Sequence, residues 1–524
     1  MDPSMGLQLL LLAGGAVGVA AIARRRGWPA PLLLVAAGLL VSPLVPAVPL
    51  QPELVLYVFL PPLLYSAALD SSYLRLRDVK RAVGLLSIGL VLFTTAVVGL
   101  VVHLMLPDLP LALAFALGAI IAPPDAVAAV AVGRRLGLPR RSLTILIGES
   151  LFNDATALTL YRVAIGAAVG GAVSLWEGLW EFLFAAVGGV VIGLALAFLF
   201  AWIFQHTRDS LVENTLMLLI PFAAYLAAES VHASGVIAVV IVGLYLGYRM
   251  HLRGFGTRLV SDAVWKVTDF FLEAIVFALI GLQLVTVIEG ITGYSPWAVA
   301  GYAAAVLAVT IVTRFVWVFA VTYVVKVWRR GSGPSAAESV ILGWAGMRGV
   351  VSLAAAFSIS GVAPRDRALL LFLTFTTVIG TLLIQGTTFP ALIRRLGVSS
   401  EQEQYEDRLA EAAAQQAALE SGLAELERLV GELDDEPDEI QRQVIDQLRE
   451  KSWRRSLTAW ERLGGGTGAG GAETPSALYR RLRRDMLQAE RQVFVRLRDE
   501  RRLDDEVLRE VMAQLDFEEA ILER

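Results

Sequence analysis

From residue 6 to residue 396 the sequence is an almost unbroken series of apolar runs, nearly all long enough to cross the ~30 Å hydrocarbon core of a bilayer as a helix. In that solvent every backbone N–H and C=O must be satisfied within the chain, which leaves helices and closed barrels as the spanning structures. Runs of this length predict helices, so the chain is expected to be an all-α polytopic membrane protein. The runs fall near 6–23, 30–48, 52–69, 79–105, 110–132, 142–170, 174–205, 211–231, 234–249, 266–289, 295–325, 336–360 and 366–396, which makes thirteen spans. Composition agrees, with 56% hydrophobic and 18% charged residues, where soluble chains run to roughly half apolar and a quarter charged.

Basic residues set the expected orientation. Connections after odd-numbered spans carry Arg24, Arg25 and Arg26, then Arg75, Arg77, Lys80 and Arg81, then Arg134, Arg135, Arg140 and Arg141. Further along come Arg208, the group Arg249, Arg253 and Arg258, then Lys326, Arg329 and Arg330, and last Arg394 and Arg395. The opposite connections, such as VPAVPLQPE and IEGITGYSPW, are nearly free of them, with Arg365 and Arg367 the exceptions. The positive-inside rule then puts the N-terminus outside and the C-terminal tail in the cytoplasm of a plasma-membrane protein. The first run, LQLLLLAGGAVGVAAIA, has its arginines after the apolar stretch, whereas a secretory signal has them before it. It is expected to remain as a spanning helix. A formal net charge of -4 leaves no large basic face for a nucleic-acid partner, and the absence of cysteine excludes disulfides and thiolate chemistry.

Span 6 contains GESLFNDATALTLYRVA, which places Glu149, Asn153, Asp154 and Arg162 inside an apolar run. Counted from Ser142, Asp154 lies about a dozen residues in, or ~18 Å along the helix, near the bilayer midplane. Ser150, Asn153 and Asp154 stand at i, i+3 and i+4 and so share one helix face. A carboxylate, an amide and a hydroxyl on that face form an oxygen-rich half-cage of the kind a monovalent cation takes. The same carboxylate can take up a proton, because a low-dielectric surrounding penalises an unpaired charge, and cation and proton then compete for one group. The competing reading is a packing acid in an interhelical polar network, but intramembrane acids are costly and default to functional.

Two spans contain interruptions. Span 5, LALAFALGAIIAPPDAVAAVAVG, has Pro123, Pro124 and Asp125 near its centre, and consecutive prolines remove backbone donors and break a helix. Span 12, AESVILGWAGMRGVVSLAAAFSIS, has Gly346, Arg348 and Gly349 at its middle. If spans 1–6 and 8–13 are inverted repeats joined by span 7, the two interruptions are equivalent, which is the pointer to a transporter's midplane site. There Asp125 would offset exposed N-terminal half-helix dipoles and Arg348 the C-terminal ones. Glu149, on another face of span 6 from Asp154, and Arg314, deep in span 11, form a candidate buried pair of structural character.

These residues resemble the sodium/proton exchangers of the monovalent cation:proton antiporter-1 family, its bacterial branch in particular. The likeness covers residues 1 to about 397 and rests on FLPPLLYSAALD, IAPPDAVAAVAV, GESLFNDATAL, VTRFVWV, GWAGMRGVVSLAAA and TTVIGTLLIQGTTFP. The resemblance implies a homodimer with a dimerisation domain and a mobile core that carries two crossed broken helices and moves by an elevator-like stroke. It implies that Asp154 binds the ion and the proton, with Asn153 as its motif partner and Ser150 as a supporting ligand of the transported cation. Glu149 with Arg314 would be the stabilising ion pair and Arg348 the charge near the crossing. No cofactor is implied beyond the transported Na+, K+ or Li+ and H+. An Asn-Asp pair in this family accompanies electroneutral one-for-one exchange. Two positions depart from the pattern: Ser66 stands where some members have an acid, and Pro124 where many have a threonine.

His103, His206, His232 and His251 all fall near predicted span ends, where a partly solvated histidine has no required role. Arg162, two turns beyond Asp154, either reaches the interface or pairs in an outer funnel. Beyond the membrane domain (1–397), residues 398–463 read as a charged helical segment. In it Leu419, Leu423, Leu426, Val430 and Leu433 alternate by four and three, a short seam for a coiled coil or for packing on a neighbouring helix. A flexible linker (464–475), containing GGGTGAGG, leads to a second helical segment (476–524). The resemblance implies a regulatory tail that binds regulators.

Three other classes compete with the antiporter. A channel could use a carboxylate in its filter but needs no inverted broken helices. An intramembrane hydrolase would need a histidine or a metal motif beside the serine of GESLF, and the sequence has neither at midplane depth. A transporter of organic anions on a related fold is the stronger rival.

Overall fold

In the computed structural model of the protein the apolar runs are helices, and no strand occurs among the described residues. Those are all residues except 1–2, 45–54, 171–174, 208, 329–334, 360–361, 399, 433–437, 464–472 and 524. The loop VPAVPLQPE, Arg208, Arg329, Arg330, Leu433 and the glycine-rich linker therefore lie outside the described residues. The chain divides into two compact units, Met1–Ser399 and Ser400–Arg524.

The first unit runs α1 (Pro3–Arg26), α2 (Ala30–Val41), α3 (Leu56–Leu69), α4 (Tyr73–Met105), α5 (Leu111–Ile121), α6 (Val127–Arg135) and α7 (Arg140–Gly170). It continues through α8 (Leu175–His206), α9 (Ser210–Glu229), α10 (Gly235–Tyr248), α11 (Phe255–Glu289), α12 (Pro296–Trp328), α13 (Ala336–Trp344), α14 (Val350–Phe357) and α15 (Pro364–Leu396). Among the described residues six of these helices are long and apolar enough to cross a membrane by length and composition, and four shorter ones are apolar. Its 31 residues would let α7 span, but α7 is not among the six, and its sequence holds Arg140, Arg141, Glu149, Asp154 and Arg162. The polar residues that set it apart are those of the candidate site.

Two helices start well before the apolar runs that announce them. α4 begins at Tyr73, where the Ser72 hydroxyl accepts from the Arg75 amide and caps its first turn. α11 begins at Phe255 rather than near 266, and its early turns carry Arg258 and the Asp262–Lys266 pair at 2.7 Å. Hydropathy marks what must be buried in lipid, while the helix itself continues as long as its backbone is capped and its polar side chains are solvated.

The helices sort into two packed groups. α2 lies along α11 with α1 beside both, and α10 packs against α3, α8 and α9. In the other group α4 and α5 pack together, α7 lies against α4, α5 and α6, and α12 packs on α4, α13 and α15. Small residues set the closest approach in the first group: a side chain on Gly38 would run into the Ala278 carbonyl, and one on Gly281 into the Val35 carbonyl. Such a crossing lets backbones touch, which is how helices associate without a hydrophobic drive. Gly281→Val is therefore expected to cost about 1–3 kcal/mol through overpacking, read as a lowered Tm of the detergent-purified protein. An unchanged Tm would mean that α2 moves aside freely.

One local distortion carries a distant contact. Residues Leu85–Leu90 of α4 form a π-helical stretch, and the Leu85 carbonyl accepts from the Trp317 indole Nε1 of α12 at 3.0 Å. The Trp317 ring covers Gly89 so closely that no side chain fits there. An inserted side chain that takes a backbone acceptor is a recognised source of such bulges.

The second unit contains α16 (Glu401–Gly431), α17 (Glu439–Leu463), α18 (Pro475–Asp499) and α19 (Asp505–Glu523). α16 packs along α17, and its Leu419, Leu423, Leu426 and Val430 are each half-buried. α18 and α19 pair over Leu487, Leu515 and Leu522. Arg483 bridges Glu518 at 2.6 Å and Glu490 at 2.7 Å, and Arg491 reaches Glu519 at 2.5 Å.

Candidate functional site

The two sequence interruptions are unwound, and they touch. Between α5 and α6 the helix stops at Ala122 and resumes at Val127, since Pro123 and Pro124 have no N–H to continue it. Between α13 and α14 residues Ala345 to Gly349 are extended or irregular. The Asp125 amide donates to the Met347 carbonyl at 2.7 Å, which ties one break to the other. The Asp125 Oδ1 accepts from the Val127 amide at 2.9 Å, at the start of α6. Its other oxygen lies against Gly349, which precedes α14, so this carboxylate stands at two helix N-termini. A negative charge is favoured there by the partial positive charge of the free amides.

Arg348 occupies the complementary position. It is 1% exposed, and its Nε donates to the Ile121 carbonyl, at the end of α5, at 2.5 Å. A terminal nitrogen donates to the Gly346 carbonyl, just past α13, and its amide donates to the Thr381 hydroxyl at 3.1 Å. A guanidinium that gives its protons to orphan carbonyls of both C-terminal half-helix ends neutralises their dipoles. Because a methyl group on Gly349 would overlap the Asp125 carboxylate, Gly349→Ala is expected to displace that carboxylate. Flux should fall steeply in reconstituted vesicles while the Tm drops by less than it does for Gly281→Val.

α7 lies across this junction. Asn153, fully buried, donates its amide nitrogen to the Pro124 carbonyl at 2.7 Å. A carbonyl can only accept, so the orientation of the amide is determined, and Oδ1 is left buried without a partner among the described residues. Ser150, one turn earlier, accepts from the Ala126 amide at 3.4 Å. Asp154 is 7% exposed, and Asp125 is close enough for the two charges to act on each other. Pro124 thus contributes to the junction through its backbone oxygen. Asp154, Asn153 and Ser150 stand at i+4, i+3 and i on one face of α7, and each carries an oxygen on that face.

Glu149 and Arg314 meet as a two-pronged pair, with N···O distances of 2.5 and 3.0 Å and both side chains almost wholly buried. The Arg314 Nε also donates to the Leu342 carbonyl at 3.0 Å, and its stem lies under Gly346. One side chain therefore fastens α12 to α7 and to the last turn of α13.

Ser66 donates to Asp269 Oδ2 at 2.5 Å, which joins α3 to α11. Asp269 Oδ1 is buried without a partner among the described residues, and Glu273, one turn on, is within charge reach of both Asp269 and Asp125. These two acids were not picked out from the sequence, although TDFFLEA places them at i and i+4 inside an apolar run. The criterion applied to span 6, an acid where lipid is expected, would have found them. Arg162 pairs with Glu229 of α9 at 2.9 Å. His103, His206 and His251 each bond a nearby backbone carbonyl.

Two broken helices crossed at a buried, oxygen-rich junction within an apolar helical body define a class, the secondary transporters, in which substrate binds where the half-helices meet. The chain belongs to the sodium/hydrogen exchanger family: the profile of the family described as sodium/hydrogen exchanger, transmembrane, matches residues 10–395. It is a transporter and not an enzyme. The chain is 33% identical, over 98% of its length and 95% of the relative's, to an uncharacterized Na(+)/H(+) exchanger of Mycobacterium tuberculosis. It is 31% identical to the low-affinity Na(+)/H(+) antiporter NhaS1 of Synechocystis, with 80% of each chain covered. Its fold is similar to that of the sodium proton antiporter MjNhaP1 from Methanocaldococcus jannaschii, with a TM-score of 0.62 and 22% identity over 76% of this chain and 99% of that one.

Proposed function

We propose that the protein exchanges one sodium ion for one proton across the plasma membrane by alternating access, and that Asp154 is the group the two ions share. The observation that carries this reading is the bond from Asn153 to Pro124, which turns Oδ1 away from the break as a buried acceptor next to Asp154 in sequence. An ionised carboxylate with neither cation nor proton costs on the order of several kcal/mol to keep in a low-dielectric interior. Either load removes that cost, so the loaded site crosses and the empty one does not. This is what couples the two fluxes. One positive charge moves each way per cycle, which makes the exchange electroneutral.

The finer topology belongs to the same reading: thirteen spans, with spans 1–6 and 8–13 as inverted repeats around span 7, an outside N-terminus and a cytoplasmic tail. The division of the helices into two packed groups supports a homodimer in which α4–α7 and α12–α15 form the mobile core and the other group the fixed domain. Asp125 and Arg348 hold the crossing, Glu149 and Arg314 brace it, and the tail regulates. Sodium is supported by what the relatives are named for, and Ser66 and Pro124 are the positions that tune the choice of ion.

The test is dissipation of an imposed pH gradient in proteoliposomes by sodium, lithium and potassium, with and without a clamped membrane potential. Electroneutral exchange gives saturable dissipation that the potential does not alter, and the ion series names the substrate. If no cation dissipates the gradient at any pH, the reading fails and transport of an organic solute takes its place.

A further inference from the structure

Away from the crossing, the ends of α8, α9 and α10 and the start of α11 enclose a cavity of about 350 Å3. Its lining includes Phe204, Glu213, Arg249, Arg253, Gly254 and Thr257. Arg253 is 8% exposed, with its guanidinium 4.3 Å above the Phe204 ring and its Nε without a hydrogen-bond partner among the described residues. Glu213 is 5% exposed, and its Oε2 is equally without one. The N-cap of α11 is Gly254, which has no side chain with which to cap the helix. A buried guanidinium whose Nε has no partner among the described residues, beside the N-terminus of α11, favours a phosphate oxygen. Glu213 lies within charge reach of Arg253, and its spare Oε2 in the same cavity suits a cationic donor on the same ligand.

The path to the cavity is apolar. Along α8 the exposed side chains Trp180, Val187, Val191, Phe198 and Trp202 recur at intervals of seven and four residues and so form one stripe down the helix. That stripe continues to Gln205, seven residues past Phe198, in the cavity wall. A hydrocarbon chain laid along it would bring a headgroup to Arg253 and Glu213.

We propose that this cavity binds the headgroup of an ethanolamine phospholipid, with the phosphodiester on Arg253, Arg249 and the first amides of α11, and the ammonium on Glu213. The inference requires only that the chain lies in a bilayer, and it stands apart from the exchange reading. Choline offers no N–H to Glu213 and glycerol no charge, so the site discriminates among headgroups.

The experiment measures the Tm of the full-length, delipidated protein in detergent against added phosphatidylethanolamine, phosphatidylcholine or phosphatidylglycerol of the same acyl chains, with free phosphoethanolamine as the soluble arm. Native mass spectrometry counts retained lipid. The ethanolamine lipid should raise the Tm most, with an apparent affinity about tenfold above that of the choline lipid, the equivalent of one charge-assisted hydrogen bond. Glu213→Gln should erase that difference while leaving a phosphate response, and Arg253→Met should abolish lipid retention. Should Arg253→Met fail to fold, Arg249→Gln provides the weakened phosphate variant. Equal stabilisation of the wild type by all three lipids, or a preference that survives Glu213→Gln, overturns the proposal. So does free phosphoethanolamine that matches the lipid at equal concentration, because the ligand would then be a soluble metabolite.

Discussion

Asp154→Asn is expected to reduce cation-driven dissipation of the pH gradient to the level of empty vesicles, with an unchanged Tm. The change is isosteric, and among the described residues no group donates a hydrogen bond to the Asp154 carboxylate, so its loss removes little that holds the fold. What it removes is the capacity to be neutralised alternately by a cation and by a proton. An amide is neutral at every pH and binds neither strongly. Flux at wild-type rates from a folded Asp154→Asn variant would assign the shared role to another acid, with Glu273 and Asp269 the next to examine because both lie in the same helical body and Glu273 is within charge reach of Asp125.

The second large effect is on stability. Arg314→Met is expected to destabilise the protein by about 3–5 kcal/mol, because it leaves the Glu149 carboxylate buried without its partner. It also releases the Leu342 carbonyl, so α13 loses its tether to α12. Combining it with Glu149→Leu should restore much of the Tm, since a buried ion pair replaced by apolar groups of similar volume is often neutral. The comparison of single and double variants separates the two roles. If the double variant is as stable as wild type and transports, the pair is a brace. If it is stable and silent, the pair takes part in transport, and the structural assignment is wrong.

How much was legible in advance depends on where each feature has its cause. Asp154, Asn153 and the two breaks stand out because apolar context makes a carboxylate, a double proline or an arginine conspicuous. Their mutual contacts were not legible, because Asp125 to Met347 and Arg348 to Ile121 link residues more than two hundred positions apart. Asp269 and Glu273 are less conspicuous, because span 10 reads as one apolar run with no proline, glycine pair or arginine beside them to mark a break. The π-helical stretch at Leu85–Leu90 has no local signature, and its bond from Trp317 comes from α12, more than two hundred residues away. The heptad spacing of Leu419 to Val430 fits a partner helix from either the same or another chain, and here these residues are half-buried on a helix that packs along α17.

A gap in a helix is usually taken for a hinge. At this crossing the opposite follows, because each gap supplies the donors and acceptors that the other lacks: the Asp125 amide, the Met347 carbonyl, the Arg348 guanidinium and the Ile121 carbonyl are spent on one another. The junction is a weld. Bending either half-helix pair alone would strand polar groups where no water replaces them, so α5, α6, α13 and α14 are held as one unit. Compliance then belongs to the turns that join the two groups, at 70–72 and 290–295, and amide exchange at Asp125 should be among the slowest in the protein even though it lies in no regular helix.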